Sequence, residues 1–169
     1  MEKSLLLVVD LQECFINDHT KEIPTKIKQY LVKNKNNFDF VAFTKFVNKP
    51  GSNFVKLLGW RECLAPKGCE IAKELLGFVN KKNTFEKQAY SAFKSKKLLS
   101  FIKKNKIRKI FICGLNTDAC ILATAFEGFD LGFETRVLKP LCGTMWGPRD
   151  YNDLMLKVLG HKIDNKILD

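Results

Sequence analysis

The segment Leu5-Leu6-Leu7-Val8-Val9 is an unbroken apolar run that stops at an acid, Asp10. A strand with one wet face alternates apolar and polar residues, whereas a run without alternation must be covered on both faces. That places it at the centre of a parallel sheet with helices on either side. Ile110 to Cys113 repeats the pattern, and amphipathic stretches separate the strands: Pro24-Thr25 opens one through Ile27, Tyr30 and Leu31, and a lysine-rich one spans Lys94 to Lys109. Further strands are read at Phe38–Phe46, at Phe78-Val79-Asn80-Lys81 with Asn83–Lys87, and at Glu134–Leu138. Helices are read after Cys120 and from Arg149 to Leu159, with a short edge strand at His161-Lys162-Ile163. Strands alternating with helices imply an α/β fold, a three-layer α/β/α arrangement with a central parallel sheet and Rossmann-like topology. A chain of 169 residues forms one such domain, residues 1–169.

Between Val47 and Gly77 the periodicity fails, with Pro50-Gly51, Gly59-Trp60 and Pro66-Lys67-Gly68 as breakers. A connection this long inside a compact domain is expected to line or cover a site.

Several function classes are excluded on composition. No run of eighteen apolar residues is present, so no membrane span is expected; the apolar run near the N-terminus reaches Asp10 without a small-residue cleavage site, which argues for a cytoplasmic protein. The formal net charge of +11 would suit a polyanion partner. The densest lysines, however, alternate with Leu98, Leu99 and Ile102 as the wet face of a helix, and no nucleic-acid motif accompanies them. The charge is read as solvation and as steering of anionic substrates, with no nucleic-acid partner. The six cysteines read as reduced thiols. They include no C-x-x-C pair, and with only His19 and His161 available no protein-built metal site and no cofactor are expected.

The chemistry concentrates at strand ends. Gly114-Leu115-Asn116-Thr117-Asp118-Ala119-Cys120 connects the Ile110 strand to an apolar helix, so Cys120 opens that helix at the carboxyl edge of the sheet, where open α/β folds bind ligands. There the helix dipole is expected to lower the thiol pKa, and Asp118 to cap the first turn. Asp10 and Lys87 end two other strands and converge on the same edge. A carboxylate can take a thiol proton and return it to a leaving group, and an ammonium beside both favours the charged forms. Singly, each residue also has a plainer reading: a buried small thiol, a turn cap, a solvated lysine.

Together the residues resemble the isochorismatase-like cysteine hydrolases, a family that includes nicotinamidases and other small amidohydrolases. The resemblance rests on Val9-Asp10-Leu11-Gln12 with Phe15, on Glu86-Lys87-Gln88-Ala89-Tyr90-Ser91-Ala92-Phe93, and on Gly114 to Ile121 with Thr124-Ala125. It implies a catalytic triad of Asp10, Lys87 and Cys120, a cis peptide between Leu115 and Asn116, and an oxyanion hole formed by the backbone N–H groups of Asn116 and Cys120. It also implies a small-molecule substrate and a homo-oligomer. Gln12, Phe15, Asn48, Asn53, Phe54, Trp60, Tyr90 and Trp146 are the candidates to shape the substrate pocket, with loop packing as the alternative for each. Nicotinamidases hold a metal through an acid and histidines, whereas the corresponding stretch here, Thr44 to Phe54, has no histidine. The fifth strand, which often ends in Asp-Ala in the family, here runs Leu138-Lys139-Pro140-Leu141. Cleavage of an amide-type C–N bond through a Cys120 thioester is expected, a vinyl-ether hydrolase or a non-catalytic binding protein on the same scaffold being the alternatives.

Overall fold

The computed structural model describes residues 2–64, 68–147 and 149–163, so Pro66 and Lys67 of the anticipated breakers lie outside the described residues. Five strands form one parallel sheet: β1 (Lys3–Val9), β2 (Phe40–Phe46), β3 (Thr84–Lys87), β4 (Ile107–Leu115) and β5 (Glu134–Gly143), in the order β3-β2-β1-β4-β5. Helices α1 (Ile23–Asn34), α2 (Asn53–Leu58), α3 (Lys96–Lys104), α4 (Leu122–Asp130) and α5 (Arg149–Ile163) occupy the connections and flank the sheet, giving the three-layer α/β/α arrangement. As its unbroken apolar run requires, β1 lies at the centre, and Leu5 through Val9 have no solvent exposure. From β1 the chain passes to β2 on one side; β3 then crosses back so that β4 lands on the other side. The reversal puts a crevice beyond the carboxyl ends of β1 and β4.

Four elements differ from the sequence reading. The lysine-rich stretch is helical only over Lys96–Lys104, and its end from Ile107 already pairs in β4. The third strand is only Thr84–Lys87, because Asn80 and Asn83 turn the chain before it: Asn83 Oδ1 accepts from the Asn80 amide, and Asn80 Oδ1 from that of Lys82. The fifth strand continues past Leu138 to Gly143, with its pairing to β4 shifted between Ile112 and Gly114. The exposed Lys139 and Pro140 fall in that irregularity on an edge strand, where proline's missing N–H costs no ladder bond. Residues 161–163 continue α5 rather than forming an edge strand; Leu156 and Leu159 anchor the helix, and Gly160 does not break it.

Candidate active site

Three strand ends supply the site. Asp10 follows β1 with a φ of 47°, a left-handed conformation uncommon for a residue with a Cβ, and such strain gathers at functional positions. Thr44 near the end of β2 holds it: its hydroxyl accepts from the Asp10 amide at 3.1 Å and donates to Oδ1 at 2.7 Å. Lys87 ends β3, two strands away. Its side chain crosses Phe46 of β2, with Nζ 5.2 Å from the ring centroid, to reach Oδ2 of Asp10 at 2.6 Å. The same ammonium donates to the carbonyls of Ala89 and Tyr90 and lies 3.4 Å from Sγ of Cys120. Asp10, Lys87 and Cys120 are therefore brought together, the first two buried and Cys120 7% exposed at the floor of a cavity of about 680 Å³.

The approach of β4 to β1 depends on Gly114, which pairs with Val9 at a φ of 118°; a Cβ there would sit 2.1 Å from the Val9 carbonyl oxygen. The Leu115–Asn116 peptide is cis. The chain then makes one π-helical turn, Thr117–Ile121, in which the Ile121 amide donates to the Asn116 carbonyl at 3.0 Å, before regular α4 begins. Thr124 ties this turn down by donating to the Cys120 carbonyl at 2.6 Å while accepting from the Ala92 amide. Asn116 accepts through Oδ1 from the Met145 amide. Asp118 does not cap the turn: its carboxylate accepts from Thr144 at 2.6 Å and lines the cavity.

Burial dominates the electrostatics. It pushes the Cys120 thiol well above the ordinary thiol range; the Asp10 charge adds to the rise and Lys87 opposes it. The expected dipole-lowered thiol is thus overturned, because desolvation in a nearly closed site outweighs one turn of helix. Burial alone would lower the Lys87 pKa, but Asp10 and Cys120 beside it raise it more, so the ammonium keeps its charge.

Phe15, Phe54, Trp60, Tyr90, Asn116 and the 65%-exposed Trp146 line the cavity. Three other anticipated pocket residues are not among its lining residues. Gln12 is buried, donating to the carbonyls of Phe46 and Cys69 and accepting from the Phe46 amide. Asn48 is spent on the carbonyls of Trp60 and Glu62 and on the Ser52 hydroxyl. Asn53 opens α2. Both amides of Gln12 and Asn48 thus brace the long connection after β2, the loop-packing alternative.

Phe46, Phe126 and Met145 complete an aromatic and aliphatic wall that the sequence did not single out; Phe46 stacks at an angle on Phe54 and Trp60, with centroids 4.8 and 5.5 Å apart. Among the described residues, the charged ones that line the cavity are Glu62 and Asp118, and no lysine or arginine is on its lining where steering of anionic substrates was expected. A metal of the nicotinamidase kind does not fit: the end of β2 offers Phe46, Val47 and Asn48, whose amide is already bonded, and neither an acid nor a histidine.

The profile of the isochorismatase domain matches residues 4–157. An uncharacterized isochorismatase family protein of Bacillus subtilis, YrdC, is 27% identical over 90% of this chain and 79% of its own length. Among solved structures, the pyrazinamidase/nicotinamidase of Streptococcus mutans superposes with a TM-score of 0.84 at 21% identity, covering 99% of this chain and 100% of that one. The N-carbamoylsarcosine amidase of Thermoplasma acidophilum gives 0.77 at 19%, covering 94% and 93%. At these identities the superpositions establish a shared fold.

Proposed function

The chain belongs to the isochorismatase family, and from that premise we propose that it is a cysteine hydrolase that cleaves an amide-type C–N bond in a small, flat, uncharged substrate. The observation that carries this reading is the Lys87 ammonium, 2.6 Å from the Asp10 carboxylate and 3.4 Å from the Cys120 sulfur at a cavity floor. The carboxylate of Asp10 takes the Sγ proton as the sulfur attacks the substrate carbonyl carbon. The resulting oxyanion is met by the backbone N–H groups of Asn116 and Cys120, donors commonly worth about 3 kcal/mol of barrier each. The C–N bond breaks, and Asp10 returns its proton to the departing nitrogen. Water, deprotonated by the same carboxylate, then attacks the thioester and releases the acid and the Cys120 thiol.

Because burial keeps the resting thiol protonated, the base must act during attack rather than before it. Lys87 positions the acid and balances the negative charge that moves between oxygen and sulfur. The aromatic wall favours a planar acyl group, and the carboxylates of Glu62 and Asp118 disfavour an anionic one.

Screening primary amides and carbamoyl compounds for ammonia release tests the reading, with isochorismate as a comparison. Turnover of a neutral aromatic amide that disappears in Cys120→Ala is the expected result. Isochorismate cleavage that survives Cys120→Ala would replace the amidase with a vinyl-ether hydrolase.

A further inference from the structure

A second group of sulfurs lies outside the triad. Cys14 sits in the turn after β1, and Cys63 and Cys69 in the connection between β2 and β3, yet their Sγ atoms all lie within 4.8 Å of one another. Those of Cys14 and Cys63 are 2.8 Å apart. Cys63 and Cys69 are buried, and Cys14 is half-buried. The backbone around them is braced: the Asn48 amide donates to the Cys63 carbonyl, Gln12 donates to that of Cys69, and Leu11 and Glu13 bond to Ala72 and Glu70 across the cluster. A neighbouring cavity of about 400 Å³, which shares Cys14 and Glu62 with the first, is lined by all three cysteines together with Glu13 and Arg61.

We propose that Cys14, Cys63 and Cys69 form a binding site for a thiophilic d10 metal ion, Zn2+ being its probe. Sulfur donors select such ions. At a Zn–S distance of about 2.3 Å, tetrahedral thiolates stand about 3.8 Å apart, a spacing reached when the Cys14 and Cys63 sulfurs, now 2.8 Å apart, separate by about 1 Å, with the third sulfur already within 4.8 Å. A disulfide would use two of the sulfurs and leave the third without a role. On binding, each thiol gives up its proton, three Zn–S bonds form, and the resulting single negative charge faces Arg61. The fourth position opens on the cavity, where water or the Glu62 carboxylate completes the tetrahedron. The hydrogen bond with Cys14, and burial behind it, push the Cys63 thiol above the ordinary thiol range, and burial raises Cys69 to about 11, so metal binding there releases protons. The ion joins the turn after β1 to the connection that carries Trp60 and Glu62. Its role is to fix one wall of the catalytic cavity, and it requires none of the triad residues.

The test uses the full chain, reduced and stripped of metal, titrated with Co2+ and then with Zn2+. Cobalt should produce a near-ultraviolet sulfur-to-metal charge-transfer band that Zn2+ abolishes and that persists in Cys120→Ala. In Cys63→Ala and Cys69→Ala the band should weaken and Zn2+ affinity fall at least about tenfold. Zinc should raise the Tm of the wild type and leave that of Cys69→Ala unchanged. A wild-type chain that gives no band overturns the site, whatever the variants do. So does a band unchanged in Cys69→Ala, or a metal-free chain that gives no band with Co2+ yet links Cys14 to Cys63 on peroxide treatment.

Discussion

The floor and the wall of the cavity are built on opposite plans. The floor is polar and sealed: Asp10 and Lys87 are buried, held by Thr44, two backbone carbonyls and each other, and delivered by the ends of β1 and β3. The wall is aromatic and partly open, and part of it comes from the long connection after β2, through Phe54 and Trp60, with the exposed Trp146 also on the lining. A charged group taken out of water is tolerable only where its partners are fixed, so the floor has little freedom to vary. Apolar rings can be exchanged at modest cost so long as volume is kept. Under the proposed function, the floor sets the reaction and the wall sets what enters.

Breaking the floor should abolish turnover. Cys120→Ala is expected to reduce kcat on an accepted amide by about 10⁴-fold or more, and Asp10→Asn by about 10³- to 10⁴-fold, both with little change in KM. Steady-state kinetics on the purified variants reads this directly. Below these in effect comes the strand contact beneath the floor. Gly114→Ala should cost about 3 kcal/mol or more in chemical denaturation, because the new methyl meets the Val9 carbonyl and the residue must keep a positive φ.

Changing the wall should instead shift binding. Trp60 packs on Phe15, Phe46 and Phe54, and Trp60→Ala should raise KM by about tenfold with a smaller change in kcat. An equal fall in kcat alone would mean that wall and floor are not separable. Alkaline stability gives a readout independent of the substrate. Burial raises the thiols of Cys142 to about 12 and Cys69 to about 11, above their value of 9.0 in the unfolded chain. Their raised pKa values contribute stability that is complete below pH 9 and is lost as pH climbs toward 11 and 12, since the unfolded chain releases those protons first. The Tm should fall over that window and be flat with respect to these groups between pH 7 and 8.5.

The same contrast explains what could be read from the chain. Asp10, Lys87 and Cys120 were legible because each sits at or just beyond the end of an expected strand, and a parallel sheet gathers such ends on one edge. The bracing role of Gln12 and Asn48 was not, because the sequence shows an amide near the site without showing whether it faces a ligand or a backbone carbonyl. Phe46 looked like one more apolar strand residue, although its ring both supports Lys87 and walls the cavity. Cys14, Cys63 and Cys69 meet only because the connection folds back on the turn after β1, which no local spacing records. The ionisation of Cys120 was misjudged for a related reason: helix position can be read from a motif, but burial depends on everything packed around it.

The coupling of the three floor residues can be measured without knowing the substrate. The rate of Cys120 alkylation by iodoacetamide, followed by peptide mass spectrometry from pH 6 to 10, should be faster at each pH in Asp10→Asn, where the raising charge is gone and Lys87 is unopposed, and slower in Lys87→Met, because below its pKa the thiolate fraction sets the rate. Superimposable profiles for the wild type and both variants would mean that the sulfur does not feel its neighbours, and the acid–cation–thiol unit would have to be abandoned.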